Sequence, residues 1–142
     1  MRTIKFRGKR CDNGEWVYGY YARLRNEFKE WHCIMTEKDA SENYIKDCNS
    51  YNMLYTPVNH NTVGQFTGLY DKNGKEIYEG DIVRCNEFVY EVVYESKRFA
   101  SFALRRDKDM YDHYFGEAME CDACEIIGNI HDNPELLEGG DE

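Results

Sequence analysis

Apolar and polar side chains alternate along much of this chain with a period of two. In residues 3–8, Ile4 and Phe6 alternate with Lys5 and Arg7, the pattern of a half-buried strand. Asp12-Asn13-Gly14 reads as a turn, and residues 15–21 as the returning strand. With Asn13-Gly14 as a two-residue loop, Asp12 faces Glu15, Cys11 faces Trp16, Lys9 faces Tyr18 and Arg7 faces Tyr20. Arg7, Lys9, Trp16, Tyr18 and Tyr20 then share one face, and Phe6, Val17 and Tyr21 the other.

Residues 22–30 are polar and read as a loop or short helix. Residues 31–36 (Trp-His-Cys-Ile-Met-Thr) form a strand pattern. Residues 37–49 are a polar excursion, and residues 51–58 another strand, ended by Pro57 and Asn59. From Thr62 onward the chain reads as a small barrel or sandwich, with short strands separated by glycine turns. Its strands are expected at residues 63–66, 82–88, 89–95, 98–104 and 125–130, with a polar loop over 107–120. Asn73-Gly74 predicts a type I′ hairpin, because both residues tolerate positive φ. Gly80-Asp81 predicts a second turn into Ile82-Val83-Arg84. Gly64, Gly68, Gly74 and Gly80 together fit a sheet that bends at its glycines. Pro134, following Asn133, suits the first position of a helical turn. The fold expected is mainly β, with an N-terminal β-rich subdomain (residues 1–61), a barrel (62–137) and a frayed acidic tail (138–142).

Charge narrows the partners. The chain of 142 residues carries a net charge of −9, which argues against polymeric nucleic acid, since phosphate neutralisation needs surplus Lys and Arg. Residues 1–30 hold eight bases and four acids, a surplus of +4, which leaves −13 for the rest. Residues 107–142 carry twelve acids and only Lys108 as a base. Such halves complement one another, within one chain or between subunits of a homo-oligomer. Lys5, Arg7, Lys9 and Arg10 interrupt any secretory signal, and no apolar run is long enough for a membrane helix. A cytoplasmic protein with six reduced cysteines is therefore expected.

Candidate chemistry is sparse. Cys121-Asp122-Ala123-Cys124 has metal-ligand spacing, but a zinc site needs four ligands and no second such pair exists. His113, His131 or His32 with Cys33 would have to complete it, and ordinary thiols are favoured over a metal. The four histidines (His32, His60, His113, His131) show no partner spacing. Asp71, Glu76, Glu79 and Asp81 surround turns, where an aspartate more often bonds its own backbone than a ligand. The face with Arg7, Lys9, Trp16, Tyr18 and Tyr20 is the candidate ligand-binding surface. Aromatic rings stack on bases while cations meet phosphates. The competing reading is cross-strand packing against a neighbouring part or subunit, with the Lys and Arg stems laid along the rings.

The run GQFTGLYDKNGKEIYEGDIVR (residues 64–84), the opening Ile4-Lys5-Phe6-Arg7 and the closing EIIGNIHDNPELL (residues 125–137) resemble the YopX family of phage and prophage proteins. The resemblance implies a mainly β chain with an SH3-like barrel in its C-terminal part, and it carries no known reaction. The expected function is a non-enzymatic accessory protein, without cofactor or metal, that binds and modulates a host or phage protein through an acidic, aromatic surface including residues 107–125. The alternative is sequestration of a nucleotide-like signalling molecule on the Arg7–Tyr20 face.

Overall fold

The computed structural model describes residues 3–36, 56–96, 100–107, 110–114 and 123–138. The chain divides into two units, Met1–Gln65 and Phe66–Glu142. It is mainly β, with two antiparallel sheets.

In the first unit, β1 (Phe6–Arg10) pairs with β2 (Trp16–Arg25), β2 with β3 (Glu30–Met35), and β3 with the start of β4 (Thr56–Tyr70). β4 then pairs back onto β1, so the pairing runs in a closed circuit. Gly8, Ile34 and Val58 meet on one side of it. A Cβ on Gly8 would lie 3.2 Å from Val58 and 3.3 Å from the Ile34 side chain, so a side chain there would crowd both.

Three expectations change in this unit. The loop between β1 and β2 has four residues, Cys11 to Gly14, closed by Arg10 N–H donating to the Glu15 carbonyl and Gly14 N–H to the Arg10 carbonyl. Of residues 22–30, only 26–29 form the expected loop; residues 22–25 and Glu30 belong to strands. β2 runs on to Arg25 and turns tightly at Asn26, whose Oδ1 accepts the N–H groups of Phe28 and Lys29. The strand expected to end near Pro57 and Asn59 instead continues to Tyr70. Pro57 is tolerated near the start of β4, where it lies opposite Cys33 and its carbonyl accepts the Cys11 N–H.

In the second unit, the end of β4 pairs with β5 (Glu76–Tyr78). β6 (Asp81–Cys85), β7 (Phe88–Glu95), β8 (Ser101–Asp107), β9 (Met110–Tyr114) and β10 (Cys124–Asn129) form a sheet in the order β10-β6-β7-β8-β9. β9 lies where the sequence suggested a loop; its backbone pairs with β8 through register shifts. The short helix α1 (Glu135–Glu138) follows Pro134, as the sequence suggests. The core is Ile77, Val83, Cys85, Tyr90, Val92, Leu104 and Cys124, with Leu69 and Ile126 against it. Each large aliphatic fully buried there contributes about 1.5–3 kcal/mol of transfer free energy.

The β4–β5 hairpin also departs from expectation. Asp71 N–H donates to the Lys75 carbonyl and Gly74 N–H to the Asp71 carbonyl. Of Asn73 and Gly74, only Gly74 has positive φ (82°). The loop is therefore the three-residue form, Lys72-Asn73-Gly74, with glycine in the left-handed position, not type I′. Gly68 (φ 86°) makes the expected bend in β4. Thr67 supports it by donating from Oγ1 to the Ile77 carbonyl and accepting the Leu69 N–H.

Cysteine pairing is a further correction. Cys85 and Cys124 are joined by a disulfide, while Cys11 and Cys33 are free. The second cysteine of the Cys121–Cys124 motif is thus committed to β6; Cys121 lies outside the described residues, as do the polar excursion at 37–49, most of the acidic stretch 107–125 and nearly all of the tail. No described helix is long and apolar enough to cross a membrane.

Candidate functional site

The candidate face is built on the first hairpin. Its register pairs Arg7 with Tyr18 and Lys9 with Trp16. The two-residue loop had placed these partners two residues further along β2. A loop longer by two residues shifts the register by two, and an even shift leaves every side chain on its original face. Arg7, Lys9, Trp16, Tyr18 and Tyr20 therefore still share one side.

Contacts draw three of them together. The Arg7 guanidinium carbon lies 4.6 Å from the centre of the Trp16 ring, and Lys9 Nζ lies 5.5 Å from it, both within cation–π range. Arg7 is only 6% exposed. Lys9 and Trp16 are half-buried. Tyr18 and Tyr20 are 45% and 54% exposed. Tyr20 lies opposite Met35 of β3 and not opposite Arg7. Thus a cation–indole stack forms the base of the face and two tyrosines present themselves from it. The stripe continues along β2 through Leu24, which is paired with Trp31; Lys29 Nζ sits 5.5 Å from the Trp31 ring centre.

Thr62 positions this face, and sequence reasoning missed it. Between the pairs Arg7–Gly64 and Lys9–Asn59, β4 bulges. There the buried Thr62 Oγ1 accepts the Lys9 N–H at 2.8 Å and donates to the Asn59 carbonyl at 2.6 Å. A threonine before Val63 carries no local signal for that role, because the bulge exists only once β1 docks.

On the opposite side, Phe6 and Tyr21 pack with ring centroids 5.6 Å apart, as the alternation predicts. Tyr21 shares a hydrogen bond with His32 Nδ1, and His32 stacks on His60 at 4.7 Å. These histidines are 28 positions apart in sequence, so β2, β3 and β4 bring together residues that spacing left unrelated. Burial pushes the Tyr21 hydroxyl above its usual pKa; Arg23 opposes this, while Glu30 and Cys33 add to it. Stacked imidazoles hold their ring planes alongside each other instead of converging on a cation. Among the described residues, no three His, Cys, Asp or Glu side chains gather to hold a metal. Burial likewise pushes the Cys33 thiol up, with Cys11 adding, away from a reactive thiolate.

Three of the four acids near these turns bond within the second unit. Asp71 accepts backbone N–H groups from Asn73 and Lys75, and Asp81 Oδ2 accepts the Tyr78 N–H at 2.8 Å. Glu76 accepts the Tyr78 hydroxyl. The Asp71 and Asp81 bonds agree with the turn role favoured from sequence.

A family model described as YopX protein matches residues 5–138. No curated protein matches the chain. Among solved structures, the crystal structure of protein EF1440 from Enterococcus faecalis is similar. It is 23% identical, with a TM-score of 0.50, over 96% of this chain and 99% of that one. At that identity the likeness concerns the fold alone.

Proposed function

The chain belongs to the YopX family, and from that premise we propose that it is a non-enzymatic phage or prophage accessory protein that binds and modulates a host or phage protein. The observation that carries this reading is the β1–β2 face, where exposed Tyr18 and Tyr20 stand beside a Trp16 braced by Arg7 and Lys9. Tyr, Trp and Arg are the residue types enriched in protein interfaces and their energetic centres. A ring held by two cations loses little further freedom on binding, which favours affinity. The same resemblance makes the second unit SH3-like in our reading.

The test is affinity capture from the bacterial host, with wild type and the Tyr18→Ala/Tyr20→Ala variant run in parallel. A partner retained by the wild type and lost by the variant supports the reading. A partner held equally by both removes this face from it.

A second reading, sequestration of a nucleotide-like molecule, draws on the two cations beside exposed rings on one face. A thermal-shift screen against nucleotides, including cyclic dinucleotides, tests it. Ligand at about 100 times its dissociation constant stabilises by about 2.7 kcal/mol, a shift of several degrees for a chain of this size. A flat screen at such concentrations removes this reading.

A further inference from the structure

Cys85 and Cys124 face each other directly across β6 and β10. Their Cα atoms are 4.4 Å apart and a disulfide joins them across 39 positions of sequence. That spacing is within disulfide reach and is typical of the closer type of antiparallel pair. Both side chains are fully buried in the core of the second unit. β10 is an edge strand. Besides its ladder to β6, it is held by Lys72 N–H donating to the Cys124 carbonyl and Ile126 N–H donating to Asp71. Among the described residues, β6 is the one strand paired with β10, whose other edge meets the Asp71–Lys72 segment. The covalent link therefore sits on the single strand ladder that holds β10, and it precedes the turn and helix at residues 130–138.

We propose that Cys85 and Cys124 form a redox-operated clamp on β10. As the disulfide it locks the edge strand to β6. As the dithiol it leaves β10 held by hydrogen bonds and packing, free to separate more often. Opening uses two molecules of a small thiol such as glutathione. The first thiolate attacks one sulfur, the Cys85–Cys124 bond breaks, and one cysteine leaves as thiolate and takes up a proton. The second attacks the mixed disulfide and releases oxidised glutathione and the other cysteine. Two electrons pass to the protein. Closing is the reverse, with oxidised glutathione as oxidant. Because both sulfurs are buried, either direction requires β10 to fray first, so exchange is gated by local opening.

The test uses the full chain equilibrated in glutathione buffers from fully reducing to fully oxidising. The state of the pair is read by peptide mass, and amide hydrogen exchange is measured at Glu125 and Arg84, which face each other in the ladder next to the disulfide. Oxidation is expected to slow exchange at these amides by about tenfold or more. Cys85→Ala and Cys124→Ala are expected to exchange like the reduced wild type in every buffer. The proposal is overturned if the pair does not close under oxidising buffer, or if it closes and exchange across β10 stays the same. It is also overturned if either variant retains the redox response.

Discussion

Asp71 Oδ2 accepts the backbone N–H of Ile126 at 3.1 Å, across 55 positions of sequence. Its other oxygen, Oδ1, accepts the N–H groups of Asn73 at 2.8 Å and Lys75 at 2.9 Å. One buried carboxylate thus closes the β4–β5 loop and pins β10. Burial pushes this carboxyl up, but the N–H bonds from Ile126, Lys75 and Asn73, with the Lys75 charge, outweigh it and hold its pKa below the usual carboxylate value.

Asp71→Asn keeps one acceptor oxygen and sets an amide NH2 against the remaining N–H donors. It should cost about 1.5–3 kcal/mol in urea unfolding at neutral pH, the range for hydrogen bonds to a charged group. A depressed pKa contributes stability that is complete above the unfolded carboxylate value of about 3.9. That contribution is lost as pH falls through the lower folded value. The gap between wild type and Asp71→Asn should therefore be constant above about pH 5 and narrow below about pH 4. A gap that stays constant down to acid unfolding would contradict this assignment.

Gly19 is required by its neighbour and not by a turn. A Cβ placed there would lie 2.1 Å from the Met35 carbonyl oxygen, which backbone pairing holds in place. Gly19→Ala should cost about 2 kcal/mol or more, as other strained core changes do. Gly14, with φ 73° and open space around it, should lose only about 1 kcal/mol on change to alanine. Urea midpoints of the two variants should fall in that order, and the reverse order would reject the close approach.

Thr62→Val removes the acceptor for Lys9 N–H and the donor to Asn59 while keeping shape. A loss of about 1–2 kcal/mol is expected, with Thr62→Ser close to wild type. If the hydroxyl also sets the position of Lys9, partner binding should weaken in Thr62→Val and recover in Thr62→Ser. Equal stability of all three proteins would show that the bulge does not depend on this side chain.

The sequence was most informative where structure is local. Period two placed Arg7, Lys9, Trp16, Tyr18 and Tyr20 on one face, and that survived a wrong loop length because the error in register was even. The turn role of Asp71 followed from its position before Asn73-Gly74. Its bond to Ile126 did not, because nothing near either residue announces a partner 55 positions away. The same limit hid the His32–His60 stack, the Cys85–Cys124 pair and the crowding at Gly19, all of which depend on which strands come to lie side by side. Pro57 and Asn59 carry the local propensities of a strand end. Pairing of β4 with β3 and then with β1 outweighs those propensities.

The most direct measurement of the central claim is a calorimetric titration of the captured partner into wild type and into Tyr18→Ala/Tyr20→Ala. Both tyrosines are exposed, so the variant should melt within about 0.5 kcal/mol of wild type. Loss of two interface anchors at about 1.5 kcal/mol each should weaken binding by about 100-fold. A variant that melts like wild type and binds with unchanged affinity would contradict the account and move the interface off the β1–β2 face.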